Sequence, residues 1–372
     1  MKKTLAAVAV LGAFAGSALA ADVTLYGKVD LGLQYTHEKS EDLVKHTDST
    51  SHEFGMKSGG SSSSRFGLKG VEEISEGLKV GFQLEHGFNA DQQEDTKLFS
   101  REMRLYVASD FGTLHMGRFG ALDSTTGSLG MLGDMVATTG YLDVIADLGT
   151  VFHTNSRMAN SIAYTSPEFA GITLSAMASL GEDHYNPASA EFDEGSNGKF
   201  SVKYDVDGKE GSSDVNRYYG LGAQGQWGGL GAGLVVSTED YGDLKSNTMR
   251  KADNSLNVTG GVNYDFGVVK TFLAGNYYDN GLHTKQWGVS LSAVAPLGAG
   301  ELEVGAGYGK AKEEVVDAKD KKSDAFTVGA HYKYPLSKRT YAYVAAGYAE
   351  EEVKDASKDK TFQAVSGICH NF

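Results

Sequence analysis

Residues 361–372 read TFQAVSGICHNF, a strand of alternating parity that closes on Phe372, with Cys369 on the opposite parity. An alternating strand ending in an aromatic suits a wall whose side chains point by turns to an apolar medium and to water. The same two-residue period recurs along the chain. Val23, Leu25, Val29, Leu31 and Leu33 alternate with Thr24, Tyr26, Lys28, Asp30 and Gln34. Leu78, Val80, Phe82 and Leu84 oppose Lys79, Gln83 and Glu85; Leu256, Val258, Val262 and Tyr264 oppose Asn257, Thr259 and Asn263. Trp287, Val289 and Leu291 oppose Gln286, Ser290 and Ser292, and Phe326, Val328 and Tyr332 oppose Thr327, His331 and Lys333.

A soluble sandwich would share this period, so the other end of the chain matters. Lys2 and Lys3 precede an apolar stretch, Leu5 to Ala15, and the small-residue site Ala18-Leu19-Ala20, the plan of a secretory signal over residues 1–20. The mature chain is then 21–372, and no later run of eighteen apolar residues can span a bilayer as a helix. A membrane protein of this kind must be a closed barrel, the remaining way to satisfy backbone groups in lipid. All four prolines (Pro167, Pro187, Pro296 and Pro335) fall between the alternating segments, as ladder hydrogen bonding requires.

Connections fall into two kinds. Short ones lie near Glu72–Gly77, Asp110–Gly112, Ser166–Gly171, Trp227–Gly229, Asp265–Gly267, Pro296–Gly300 and Pro335–Arg339. Long polar ones lie near Thr36–Ser62, Ala90–Leu98, Phe119–Asn160, Gly181–Arg217, Glu239–Asp253, Tyr278–Thr284, Lys310–Ser323 and Glu351–Asp359. Seven turns alternating with eight loops predict an all-β fold: a transmembrane antiparallel β-barrel of 16 strands in the outer membrane, wide enough for an aqueous channel. Thr36–Ser62 reads as a solvated loop, and Phe200, Val202 and Tyr204 could extend a hairpin within the fourth loop.

The segment 119–160 differs from the other loops. It holds Leu129, Met131, Leu132, Met135, Val136, Tyr141, Leu142, Val144, Ile145, Leu148, Val151 and Phe152, too much apolar surface to remain in water. The expectation is a constriction loop folded into the lumen; the alternative is a solvated acidic lid. Tyr141, Val144, Ile145 and Leu148 have helical spacing and put Asp143 and Asp147 together on the opposite face. With Asp123 and Asp134 these are the loop's acids, while Arg157 is its only Lys or Arg. Folded inward, the loop would face a wall carrying Arg65, Lys69 and Lys79.

Together these pieces resemble the general porins of Gram-negative outer membranes, most closely the β-proteobacterial type. Ala21-Asp22-Val23-Thr24-Leu25-Tyr26-Gly27 looks like that family's mature start, and Ser64-Arg65-Phe66-Gly67-Leu68-Lys69-Gly70-Val71-Glu72 with Gly77-Leu78-Lys79 resembles its second strand, first turn and third strand. Phe111-Gly112-Thr113-Leu114 with Gly117-Arg118 resembles the turn before the constriction loop, and Arg157 with Asn160-Ser161-Ile162 and Tyr164-Thr165-Ser166-Pro167 the strand after it. Leu336-Ser337-Lys338-Arg339-Thr340 and Phe372 complete the match. The resemblance implies a trimeric pore whose third external loop faces a ladder of basic residues, here Arg65, Arg101 and Arg157. Arg101 shares parity with Met103, Leu105 and Val107, which read as lipid-facing, while Glu102 and Arg104 read as luminal. Either a bulge brings Arg101 inward or Arg104 takes its place.

A porin of this kind conducts passively, carrying small hydrophilic solutes and ions through water with no cofactor. An adhesive or structural surface barrel is the rival reading. The chain carries 34 Lys and Arg against 48 Asp and Glu, and loss of the signal's two lysines moves the formal charge from −14 to −16, which disfavours nucleic acid as a partner. Gly127–Gly133 and Gly228–Gly233 lack the Gly-Lys-Ser/Thr of a phosphate loop, and there is no Gly-x-Ser-x-Gly or His-Glu-x-x-His, so no enzyme is expected. His37, His46, His52 and Glu53 could gather a metal, but a mobile polar loop is the simpler home for them.

Overall fold

The computed structural model describes residues 23–92, 97–137, 151–181, 186–194, 200–205, 217–240, 253–281, 283–314 and 319–372. Residues 1–20, expected to be a leader, and the Tyr141–Leu148 stripe lie outside them. In chain order the strands are β1 (Thr24–Asp42), β2 (Thr47–Ser58), β3 (Arg65–Ser75), β4 (Leu78–Gly87), β5 (Glu102–Ser109), β6 (Gly112–Gly120), β7 (Arg157–Thr165), β8 (Ile172–Ser179), β9 (Asn186–Glu194), β10 (Phe200–Asp205), β11 (Arg217–Trp227), β12 (Leu230–Asp240), β13 (Leu256–Asp265), β14 (Lys270–Asp279), β15 (Thr284–Leu297), β16 (Gly300–Glu313), β17 (Lys321–Pro335), β18 (Thr340–Val353) and β19 (Ser357–Asn371). Seventeen of them form one closed antiparallel sheet, and β9 and β10 pair separately, a hairpin that the sequence allowed within the fourth loop.

Closure occurs between β1 and β19, from Lys28 opposite Asn371 to Asp42 opposite Ser357. Gly27 and Phe372 extend the seam by exchanging both backbone hydrogen bonds, at 3.1 and 3.0 Å. The upper part of β1 pairs with β2, Leu31 against Ser58, and its lower part with β3, Lys28 against Arg65. β2 and β3 are thus two halves of one barrel strand, interrupted at 59–64, and the barrel has the expected sixteen staves.

The walls are inside out relative to a soluble protein. Leu221, Leu234, Leu273 and Leu291 are exposed, while Asn257, Thr259, Ser290, Ser292 and Thr327 are buried. Apolar side chains face outward because the outer medium is lipid. Aromatic residues mark both edges of this band: Tyr277 pairs with Trp287, Tyr308 with Phe326 and Tyr348 with Phe362 toward the long loops, while Phe111, Phe169, Phe266 and Phe372 lie toward the short turns. From Phe362 on β19 to Phe372 just past its end is ten steps, roughly 33 Å along a strand. At a tilt of about 40° that spans about 25 Å, the height of an outer-membrane apolar band.

The first loop corrects the sequence reading. The stretch Thr36–Ser62 is largely exposed, as expected, but it is strand and not loop: β1 and β2 continue as a hairpin to a turn at 43–46, where Asp42 Oδ1 accepts the N–H groups of Val44 and Lys45 at 3.0 and 2.9 Å. Cross-strand ion pairs lace the projecting ends of the neighbouring strands: Lys360 on β19 pairs with Glu41 on β1 at 3.1 Å, and Lys358 on β19 with Glu350 on β18 at 2.6 Å. Within the hairpin His37 stands opposite His52, with the two Nδ1 atoms 3.2 Å apart.

Candidate functional site: the inward loop and the basic wall

After β6 the chain turns into the barrel and packs on the wall formed by β11–β17. Asp123 is fully buried there: it accepts from Tyr218 Oη at 3.1 Å, Ser237 Oγ at 2.7 Å, Asn257 Nδ2 at 2.6 Å and Asn155 Nδ2 at 3.0 Å. Four donors replace the water that a buried carboxylate would otherwise lose. Further along, Met131, Leu132, Met135, Val136, Val151 and Phe152 form one buried cluster with Tyr218, Val235, Ala274 and Ala325. Each such side chain contributes roughly 1.5–3 kcal/mol through removal from water.

Glycines on the wall make this approach possible. A Cβ at Gly222 would overlap the Met131 sulfur, one at Gly233 the Met135 methyl, and one at Gly288 the Val151 carbonyl and the Phe152 ring. Polar wall residues meet the loop's backbone groups: Ser292 Oγ accepts from Ala137 N at 3.0 Å, Asn263 Nδ2 donates to the Asp134 carbonyl at 3.1 Å, and Asn276 Oδ1 accepts from His153 N at 3.0 Å. The His153 ring stacks on Tyr278 with centroids 3.5 Å apart. On the near side Glu102 takes both the N–H and the hydroxyl of Ser128, so the loop is tied at β5 as well.

The wall from β3 to β7 is different in kind. Glu85 receives Arg101 Nε at 2.6 Å, lies 3.7 Å from Arg65 Nε, and accepts from Tyr26 Oη at 3.1 Å. Arg104 donates to Gln83 Oε1 at 2.9 Å, contacts His115 Nδ1 at 3.1 Å and lies 3.6 Å from Glu102. Arg118 donates to the Ser100 carbonyl at 2.9 Å. Lys57, Arg101, Arg118 and Arg157 then line one cavity of about 340 Å³ with five serines and Asn89, and no carboxylate is among its lining residues. Arg157 Nε and Nη2 meet no protein acceptor among the described residues.

A closed sixteen-stave barrel, an inward loop tied to one wall and a row of arginines on another can be set beside known proteins. The sequence profile of Gram-negative porins matches residues 6–354. The chain belongs to that family. Among curated relatives, this porin is 26% identical to an outer membrane porin of Bordetella pertussis, with all of both chains covered. It is 28% identical to outer membrane porin protein 32 of Delftia acidovorans, over 96% of this chain and 91% of that one. Its fold is similar to an anion-selective porin from Comamonas acidovorans, at a TM-score of 0.65 and 22% identity, covering 95% of this chain and 100% of the other. The protein is an outer-membrane porin, a water-filled diffusion channel, and the family's named members are channels rather than enzymes.

The porin brings the residues singled out from sequence to different fates. Arg65, Arg101 and Arg104 gather on the β3–β5 wall, and Arg157 joins Arg101 at the shared cavity. The parity conflict at Arg101 has a simple resolution. Glu85 is the register partner of Glu102, yet its carbonyl accepts Arg101 N at 3.1 Å, so two residues face one and the bulge turns Arg101 inward. Asp123 does not face the lumen: it is an anchor beneath the loop. Asp134 is exposed on a short 3-10 turn, Leu132–Asp134. Asp143 and Asp147 lie outside the described residues. Sequence reasoning missed Arg118 and the anchoring role of Glu102, whose only visible signal was its luminal parity beside Arg104.

Proposed function

We propose that this porin weakly prefers anions, and that its eyelet lies between the inward loop and the wall bearing Arg65, Arg101, Arg104 and Arg157. The observation that carries the reading is the cavity lined by Lys57, Arg101, Arg118 and Arg157, where four cationic side chains converge and, among the described residues, the one carboxylate paired with them is Glu85, which holds Arg101 from outside the lining. Among the described residues of this wall, five arginines are paired with or lie beside two carboxylates, Glu85 and Glu102. The formal charge of −14 argues little against this. Charges on the outer loops are screened over a Debye length of about 8 Å at physiological salt. Selectivity is decided where low-dielectric walls focus the field. The acids that the sequence puts in the loop segment, Asp143 and Asp147, are expected to hold the preference to a weak one.

The test is the zero-current potential across a potassium chloride gradient, for the wild type and for Arg65→Ser. A wild type of anionic sign with a mutant displaced toward cations supports the reading; a strongly cation-selective wild type refutes it. We further propose that the functional unit is a homotrimer, so that single insertions in a planar bilayer close in steps of three equal conductances.

A further inference from the structure

We infer that the interruption between β2 and β3, residues 59–64, is a second constriction element, and that the buried carboxylate of Asp30 is the positioning residue that holds it in the lumen. Leu31 pairs with Ser58 and Lys28 with Arg65, so two residues of β1, Val29 and Asp30, stand opposite six. Four residues are in excess, and they leave the sheet on its inner side. A Cβ at Gly60 would meet the Tyr343 hydroxyl at 2.5 Å and a Val365 methyl at 2.8 Å, so the segment passes over β19 and reaches β18. Ser61 Oγ lies 3.1 Å from Tyr341 Oη, and Lys28 Nζ donates to Ser62 Oγ at 3.1 Å.

Asp30 is what makes this excursion stable. Its side chain is fully buried, accepting the N–H groups of Ser61 and Ser62 at 3.1 and 2.8 Å on one oxygen and the Tyr343 hydroxyl at 2.6 Å on the other. Ser64 Oγ closes the base, accepting from Asp30 N at 3.0 Å and donating to Asp30 O at 3.2 Å. Ionised acceptors make the stronger hydrogen bonds. Removing the charge would leave the turned-in amides with a weaker partner.

The segment also reaches the eyelet itself. The Ser63 carbonyl accepts from Arg65 Nη1 at 3.3 Å, so the inward turn and the first arginine of the basic wall lie at one height. The basic wall is thereby flanked on one side by the loop over β11–β17 and on the other by this turn against β1, β18 and β19. The turn presents serine hydroxyls and backbone, not charge. It should narrow the path and steady Arg65 while leaving the sign of selectivity to the arginines.

The geometry supplies an unusually mild deletion. Removing residues 60–63 leaves Gly59 opposite Asp30 and Ser64 opposite Val29, a continuous register from β2 into β3. Single-channel conductance of the deletion should rise by about 1.3-fold or more, with a much smaller change in zero-current potential, because a wider path conducts more and no charge is removed. Asp30→Asn should shift conductance the same way by less and add open-channel noise. As an independent measure, Ser62→Cys treated with a cationic methanethiosulfonate forms a mixed disulfide with loss of methanesulfinate, and should lower the conductance of open channels. The wild type, whose Cys369 is buried, is the control. Conductance unchanged in the deletion, or Ser62→Cys channels that stay unmodified or carry undiminished current once modified, would overturn the constriction. An Asp30→Asn channel identical to wild type in conductance and noise would remove Asp30 from the role.

Discussion

Two inner walls of one barrel face the same water and are built from opposite chemistry. Under the loop, the inward side chains of β11–β17 are mostly glycine, serine, threonine and asparagine with Tyr218, Val235 and Ala274, and the charged Glu303, His331 and Lys333 group sits apart, toward the short-turn end of β16 and β17. On β3–β7 they are arginine and glutamate, and the loop touches this wall at Glu102 through Ser128. The difference follows from desolvation. Covering Arg65, Arg101 and Arg104 would strip water from several charges at once, at several kcal/mol each. Covering Ser292 or Asn263 costs little, because the loop's own backbone groups replace the lost water. A largely neutral surface with room for side chains serves as a dock, and the charged wall left uncovered is the one proposed above as the filter.

The sharpest way to break the comparison is to fill the dock. Gly288→Val should dislodge Val151 and Phe152, costing roughly 1–3 kcal/mol or more through overpacking. Gly275→Val, facing lipid where a Cβ would meet only the Gly288 carbonyl at 3.7 Å, should be nearly silent. Heat-modifiability on gels and single-channel conductance compare the two, and equal effects would show that the loop does not rest on this wall as described. Next in size, Asp123→Ala leaves Tyr218, Ser237 and Asn257 without their shared acceptor. Hydrogen bonds to a charged group are worth about 1.5–3 kcal/mol each. The expected outcome is a folded barrel with a loosened loop, seen as added open-channel noise and earlier thermal unfolding; a quiet channel counts against the anchor.

A smaller change on the other wall sharpens its assignment. Glu85→Gln removes the carboxylate shared by Arg65 and Arg101 while keeping the shape, so the anion-to-cation permeability ratio should rise on the order of twofold. A fall in that ratio would place the filter elsewhere. Smallest for the pore itself is loss of Phe372, whose ring covers Gly27 at the seam. Folded yield in the membrane should drop, with the conductance of surviving channels within error of wild type.

Sequence showed the barrel because period-two alternation is a local signal, repeated along the chain between short turns. It failed over Thr36–Ser62 for a physical reason. Above the bilayer neither face of β1 and β2 buries apolar surface, so alternation vanishes while backbone pairing and pairs such as Lys360–Glu41 continue. The inward loop was legible from its apolar load, with Met131, Met135 and Val151 in the buried cluster. Which wall it would choose was not legible: Gly222, Gly233 and Gly288 are distant in sequence and acquire meaning only through the sheet's register. Asp123 shows the same limit. Four partners, from Asn155 to Asn257, turn a plausible pore charge into a buried anchor, and nothing near Asp123 announces them.

The β1–β19 seam fixes the order in which this molecule can be finished. β1 is made first and its final neighbour last, with every other stave between them. Until β19 exists, any assembly is an open sheet with two unpaired edges, the geometry that invites joining to foreign strands. The cell must therefore keep the whole chain apart from its own kind in transit, and closure comes as one late event rather than stave by stave. A contact pairing the most distant parts of the chain is slow to find, since the entropy of closing so long a loop falls due before any pairing rewards it.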